Sequence, residues 1–362
     1  MNGNERNLNV DKIRGIACLL VLLYHCYALT GKLPIGIPVI KDLIIKGGCI
    51  GVTIFFVLSG YGIYLSLQEM EKRNSLNFAS FIKKRFVRIA PHYYFNIFAL
   101  LILSSSVVYL SKEHWRSILW HIFFIHSWSF ETHGSINGAL WTMSVIFQFY
   151  LFAIPLYKIV REKNHFWVLG GVIAFTIVFK WIMINYLWIT DESVYGTFAF
   201  MIPTRQFVTS IDNFVIGMVA AKVVNYRKGD NQDIFRKKVI CGLSFIYIIV
   251  LTEIAMKHNI YEKSILGYCW FSFLAIGIGI LLVACDFDSK TTLLGRFSIF
   301  ISKHEYAIYL WHLPILYNLT SGNSAFVNYL LDFSSGLPFY LFSMCVCICF
   351  AIVVERIFYI KR

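Results

Sequence analysis

This 362-residue sequence is short of charge. Asp, Glu, Lys and Arg together make up 15% of it, against roughly 25% in soluble globular domains. A soluble enzyme is thereby excluded. No connection is large enough to form a separate soluble domain, and no internal repeat or low-complexity tract is present. The first apolar run has no small-residue cleavage site of the A-x-A kind, so it reads as a retained span. Metal-binding cysteine spacing is missing as well. Cys18, Cys26, Cys241, Cys269, Cys285, Cys345, Cys347 and Cys349 fall inside apolar runs and read as small hydrophobes. The i, i+2 series Cys345, Cys347, Cys349 cannot share a helix face, and no metal site is expected.

What is present is apolar length. Apolar residues are 58% of the chain, and mean hydropathy is +0.64. Uncharged runs recur at 47–68, 89–111, 132–157, 264–285, 306–331 and 333–354; a helix needs about 20 such residues to cross the hydrocarbon core. The pattern predicts an all-α, polytopic transmembrane helical bundle, a single integral-membrane domain over 1–362. Ten spans are expected, near 13–30, 47–67, 89–110, 140–160, 165–187, 206–224, 239–256, 265–285, 303–320 and 336–357. Segment 115–128 is apolar but too short to cross. With Trp115, Trp120 and Trp128 suited to the headgroup level, it reads as a re-entrant or interfacial helix.

The net charge of +13 comes from short basic clusters between apolar runs, which is the positive-inside pattern, so nucleic acid is not an expected partner. With the N-terminus in the cytoplasm, inward segments hold 24 Lys and Arg residues and outward segments 8. That asymmetry supports an even number of spans with both termini cytoplasmic.

Ionisable groups within spans are costly and mark functional candidates. Arg14 opens the first span and His25 follows eleven residues later, about 16 Å along a helix and on the same face. Imidazole exchanges protons near neutrality; the bland alternative is a packed histidine and an arginine marking the boundary. Arg85 and Arg88, at i, i+3 before the third span, point to one side. They suit the phosphates of a nucleotide-like cofactor, or are simply a positive-inside cluster. Pro91 suits the first turn of the following helix. Ser59 and Gly60 in the second span permit close packing or local unwinding. Thr142, Ser144 and Gln148 are spaced to face the interior, Lys180 is expected to be buried and paired, and Glu355 to pair locally beside Arg356. Tyr306, Tyr309 and His312 form an i, i+3, i+6 series. Tyr309 and His312 suit a shared polar cavity, while tyrosines are equally interface anchors.

In chain order these segments resemble the acyltransferase-3 family of bacterial membrane O-acyltransferases. The resemblance rests on Asp11-Lys12-Ile13-Arg14-Gly15 with Tyr24-His25, on Phe55-Phe56-Val57-Leu58-Ser59-Gly60, and on Arg85-Phe86-Val87-Arg88-Ile89 with Pro91. It continues in Trp141-Thr142-Met143-Ser144 leading to Phe149-Tyr150, in Arg205 with Phe214 and Gly217, and in the segment from Tyr306 through Tyr309 and His312 to Pro314. There are departures. Ile146 stands where the tryptophan signature usually has a glutamate, and Ile357 where the C-terminal signature has proline.

The resemblance implies transfer of an acetyl or other short acyl group from cytoplasmic acyl-CoA to a hydroxyl of a glycan or lipid-linked sugar, at the bacterial inner membrane. Acyl-CoA would be a donor substrate, with no tightly bound cofactor. Membrane lipids would be further partners, and homo-oligomer formation is left open. On this reading His25 is the general base, Arg85 and Arg88 bind the CoA phosphates, and Arg14 binds CoA or orients the helices around it. Tyr309, Ser59 or a freed backbone N–H near Gly60 would donate to the carbonyl oxygen. His312 would help to bind the acceptor. The missing carboxylate at Ile146 puts a carboxylate-assisted mechanism in doubt. The reading from another class is a non-catalytic transporter or flippase using the same polar groups as a substrate path.

Overall fold

The computed structural model describes residues 8–103, 114–187, 202–226, 234–285, 292–321, 325–332 and 336–359. Part of the third expected span, 104–110, lies outside the described residues. Within them the chain is helical and has no strand. The principal helices are α1 (Leu8–Thr30), α2 (Pro38–Ile45), α3 (Gly47–Lys72), α4 (Phe78–Leu103), α5 (Trp115–Ile122), α6 (Trp141–Glu162) and α7 (His165–Ile182). They continue with α8 (Ile211–Tyr226), α9 (Ile234–Lys257), α10 (Ile265–Ala284), α11 (Leu293–Ser321), α12 (Ala325–Asp332) and α13 (Leu337–Tyr359).

Among the described residues nine helices are long and apolar enough to cross a membrane: α1, α3, α4, α6, α7 with the π-turn beyond it, α8 with the 3-10 turn before it, α9, α10 and α13. The other expected span, 303–320, lies in α11, whose 29 residues run about 44 Å at 1.5 Å per residue. Polar and aromatic side chains make α11 less apolar than the nine. Outward-facing positions such as Phe98, Leu103, Ile246 and Val353 are exposed yet apolar, as a lipid-facing surface requires and a water-facing one would not tolerate. Segment 115–128 forms only the eight-residue α5 and a 3-10 turn at His126–Trp128, too short to cross.

One boundary differs from expectation. α4 begins at Phe78, so Pro91 lies inside it instead of in its first turn, and the basic cluster around Arg85 is helical. A proline in a spanning helix is tolerated where neighbouring groups satisfy the freed carbonyl.

The chain divides into two compact units, each assembled from separated stretches. The first comprises Met1–Leu58, Val223–Met256 and Gly277–Arg362; the second comprises Ser59–Lys222 and Lys257–Ile276. In lipid, burial against another apolar helix gains little over burial against acyl chains, so close packing and hydrogen bonds hold helices together. In the first unit α1 lies along α11. A Cβ at Gly15 would sit 1.9 Å from the Ser298 carbonyl oxygen, so only glycine allows this approach, and the Ser298 hydroxyl donates to the Lys12 carbonyl at 2.6 Å. Leu22, Cys26, Leu316, Phe339, Tyr340 and Cys347 pack as one core cluster of this unit. Cys18 joins another, with Ile301, Ala307, Ile308 and Ala351. Cys347 is buried while Cys345 and Cys349 are exposed, so the three do not share a face.

In the second unit a Cβ at Gly60 would meet the Phe214 carbonyl oxygen at 1.9 Å, and Phe214 stacks on Phe149 with ring centroids 4.0 Å apart. α3 stays helical through Ser59 and Gly60. Gly60 therefore serves close packing, and unwinding that would free a backbone N–H there does not occur. Thr142, Ser144 and Gln148 do face inward. Ser144 Oγ donates to the Phe124 carbonyl at 2.6 Å, Gln148 Nε2 to the same carbonyl at 3.1 Å, and Trp128 Nε1 to Gln148 Oε1 at 3.0 Å. These bonds clasp the turn after α5 to α6. Lys180 and Asp212 are both fully buried, and their opposite charges interact. The Lys180 ammonium lies 5.5 Å from the Phe271 ring centroid, and the expected close pairing with a carboxylate is not found within salt-bridge distance among the described residues.

Candidate active site

Arg14, His25 and Tyr309 all lie in the first unit, on α1 and α11. Arg85, Arg88 and Ser59 fall in the second.

Around His25 the protons can be placed from chemistry alone. A backbone carbonyl only accepts, so any ring nitrogen bonded to one must carry hydrogen. His312 Nδ1 lies 2.7 Å from the Tyr309 carbonyl oxygen, and His25 Nδ1 lies 2.8 Å from that of Val21. Both rings are therefore Nδ1–H tautomers when neutral. His312 Nε2 then holds a lone pair and accepts from His25 Nδ1–H at 3.2 Å. In that tautomer the lone pair of the neutral His25 ring is on Nε2, which is the form a general base needs. The two rings meet edge to face, with centroids 4.8 Å apart. His312 is buried and His25 half-buried. Tyr309 is buried, its ring edge-on to Phe55 at 5.8 Å and 5.5 Å from His312.

Toward the start of α1, Arg14 is held by two carboxylates: Nη1 is 3.3 Å from Asp11 Oδ1 and Nε is 3.3 Å from Glu305 Oε1. The second pair links α1 to α11. Nearby on α11, His304 Nδ1 meets Glu355 Oε2 at 2.5 Å. Glu355 therefore reaches across to another helix instead of pairing locally beside Arg356.

The two arginines of α4 differ. Arg88 is exposed and Arg85 buried. The Arg85 guanidinium lies 5.3 Å from the Phe81 ring centroid and 6.0 Å from that of Tyr150, within cation–π range. Its Nε has no hydrogen-bond partner, and no carboxylate among the described residues lies within salt-bridge distance. A buried guanidinium in that condition is suited to receive an anion. Ser59 is half-buried on α3, and Ile146 is buried and apolar on α6.

The segment carrying α5 holds histidines that the sequence did not single out. His121 and His126 stack with centroids 3.9 Å apart, and His121 Nδ1 donates to the Ser117 carbonyl at 2.8 Å. Arg205 covers the Trp141 ring at 4.8 Å, and His133 approaches that ring at 5.8 Å. Burial holds all three imidazoles below their ordinary pKa, His121 at about 4 and His133 at about 3, with Arg205 adding to the effect on His133.

Residues 7–356 match the family model described as "Acyltransferase domain". The chain is similar to the peptidoglycan O-acetyltransferase OatA of Listeria monocytogenes, 26% identical over 85% of this chain and 49% of that protein. It is also similar to SACOL0978 of Staphylococcus aureus, 23% identical over 85% of this chain and 50% of the relative. ORF330 of Acidianus two-tailed virus is 23% identical over 84% of this chain and 82% of its own length. The names of the last two assign them O-acetyl and acetyl transfer provisionally. The chain thus spans about half the length of the first and second of these relatives. No solved structure matches it significantly.

Proposed function

Since the chain belongs to the acyltransferase-3 family, we propose that it is a membrane O-acetyltransferase, moving an acetyl or other short acyl group from cytoplasmic acyl-CoA to a hydroxyl of a glycan or lipid-linked sugar. The observation that carries this reading is the tautomer of His25, whose Nδ1–H is held by the Val21 carbonyl and His312, which makes Nε2 the proton-accepting nitrogen of the neutral ring. The name of the Listeria relative favours a glycan acceptor.

Acyl-CoA as donor substrate supplies an activated thioester. His25 Nε2 takes the proton of the acceptor hydroxyl while the acceptor oxygen bonds to the acyl carbon. The carbon–sulfur bond then breaks and its electron pair leaves on sulfur. A thiolate is a good leaving group and needs little acid assistance. Positioned proton transfer of this kind contributes roughly 10²–10⁴-fold. The imidazolium formed on His25 keeps its Nδ1–H on Val21 and His312. The Tyr309 side chain beside this pair is assigned to donation toward the carbonyl oxygen as charge develops there.

The unpartnered, ring-flanked guanidinium of Arg85 fits a CoA phosphate. Arg88, exposed on the same helix, adds long-range attraction, and Ser59 is a secondary donor-binding residue. Arg14 is already engaged by Asp11 and Glu305, so its role is to hold α1 against α11.

The test uses membrane vesicles containing the full chain, acetyl-labelled CoA and a panel of glycans with peptidoglycan fragments first. Label should move to the glycan in the wild type and stay on the donor in His25→Ala. Solute or lipid-linked sugar crossing the vesicle without acyl transfer would overturn this reading in favour of a transporter.

A further inference from the structure

We infer that His312 is a positioning residue that fixes His25 in its proton-accepting tautomer and orientation, an inference resting on the reading of His25 as the base. A neutral imidazole has two tautomers, and only the one protonated on Nδ1 leaves Nε2 free. The Val21 carbonyl, one turn back on α1, holds the Nδ1–H at 2.8 Å. That bond lies within α1, so it travels with the helix and sets no relation to the rest of the unit. His312 belongs to α11. Its own Nδ1–H is committed to the Tyr309 carbonyl at 2.7 Å, so its Nε2 can only accept when the ring is neutral. The 3.2 Å contact between His312 Nε2 and His25 Nδ1 therefore has one direction, from His25 to His312.

Three consequences follow from that direction. His312 selects the Nδ1–H tautomer of His25. Its ring fixes the His25 plane from a second helix, at an edge-to-face separation of 4.8 Å. When His25 takes up a proton at Nε2, the Nδ1–H bond to His312 becomes charge-assisted and strengthens. His312 thus occupies the place that a carboxylate holds beside the histidine of a hydrolase triad, with an uncharged acceptor. Such a partner suits a buried position, where a second fixed charge would be costly. His312 is buried inside α11, and its ring makes both of the polar contacts its nitrogens allow. It is accordingly an accessory of α1 and not a binding group for the acceptor.

The experiment compares His312→Gln with His312→Asn and His312→Phe. The Gln side-chain oxygen reaches the place of imidazole Nε2 and keeps an acceptor there; Asn is too short, and Phe has none. Each variant is purified in detergent and its melting temperature recorded. Acetyl transfer to peptidoglycan fragments is measured alongside the rate at which diethyl pyrocarbonate modifies His25, followed by peptide mass spectrometry. The reagent attacks the unprotonated ring nitrogen and needs no acceptor substrate. His312→Asn and His312→Phe are expected to lower kcat about 10–10²-fold, part of what a positioned base contributes. The KM for acetyl-CoA should stay unchanged, and His25 modification should slow by a similar factor. His312→Gln should restore both within about threefold.

Equal loss in Gln and Asn, or a rise in KM with kcat and His25 reactivity intact, overturns the inference. If Phe fails to fold, the Gln and Asn pair decides it. His25→Ala run in parallel separates the two readings. An active His25→Ala removes the base itself, whereas a dead His25→Ala beside a fully active His312→Asn removes only the positioning role.

Discussion

Arg14 on α1 and Glu305 on α11 meet at 3.3 Å, about one turn before Tyr309 and two before His312 on the same helix. The bridge ties together the two helices that also bring His25 to His312. Arg14 therefore acts at a distance, through the register of α1 against α11. Glu305→Gln should lower kcat several-fold and leave the KM for the donor unchanged, and Arg14→Lys should do the same, because an ammonium cannot satisfy both carboxylates with the guanidinium fork. A rise in the donor KM for Arg14→Lys, with Glu305→Gln silent, would return Arg14 to direct CoA binding. Steady-state kinetics in vesicles reads the difference.

Arg85 should show the opposite pattern. Hydrogen bonds to charged groups contribute about 1.5–3 kcal/mol each, so Arg85→Ala is expected to raise the KM for acetyl-CoA roughly 10–100-fold with a smaller change in kcat. Arg88→Ala, at an exposed position, should raise it only a few-fold, and that effect should fade in high salt as screening removes it.

Lys180 and Asp212, both buried in the second unit with opposite charges, predict non-additivity. Asp212→Asn or Lys180→Met leaves an unopposed buried charge and should cost about 3–5 kcal/mol, while the double variant should recover most of it. Melting temperatures in detergent form a complete double-mutant cycle, and additive losses would mean that the two charges are not coupled.

The imidazoles His121, His126 and His133 predict an acid-sensitive fold. Their folded pKa values lie below the ordinary 6.5, so the folded chain binds fewer protons than the unfolded chain at low pH. Their contribution is fully present above about pH 6.5 and declines as pH falls toward about 4. For His121 alone the loss reaches on the order of 3 kcal/mol. Melting temperature measured from pH 7.5 down to pH 5 should fall, and His121→Phe should flatten the slope.

Gly60→Val should destabilise the second unit by about 1–3 kcal/mol or more, since its Cβ has no room beside the Phe214 backbone. The measurement is the fraction of folded protein eluting in detergent. A normal yield would mean that α3 and α8 can separate without cost.

Local pattern explains which of these features could be read in advance. Long uncharged runs have no stable alternative to spanning helices in lipid, so the nine apolar helices, the short α5 and the inward Thr142, Ser144 and Gln148 were legible. Pairing across helices was not. Glu305 lies far from Arg14 in sequence, and Glu355 looked satisfied by its neighbour Arg356 yet binds His304. The i, i+3 spacing of Arg85 and Arg88 separates them by about 60° around α4. That is enough to bury one against Phe81 and Tyr150 and leave the other outside. The length of α4 before Pro91 was hidden because its first turns are basic and exposed. The histidine stack escaped notice because nothing in its spacing brings position 121 beside 126; the turn after α5 does that.

The first unit joins Leu22 and Cys26 to Phe339, Tyr340 and Cys347, positions separated by most of the polypeptide. During synthesis, then, α1 enters the bilayer long before α11 and α13 exist. Its arginine and imidazole must wait there without Glu305 or His312. Contacts so distant along the chain form late and slowly. On this account a ribosome-bound chain that has not yet made α11 holds an α1 whose charged and titratable groups still lack their partners on that helix.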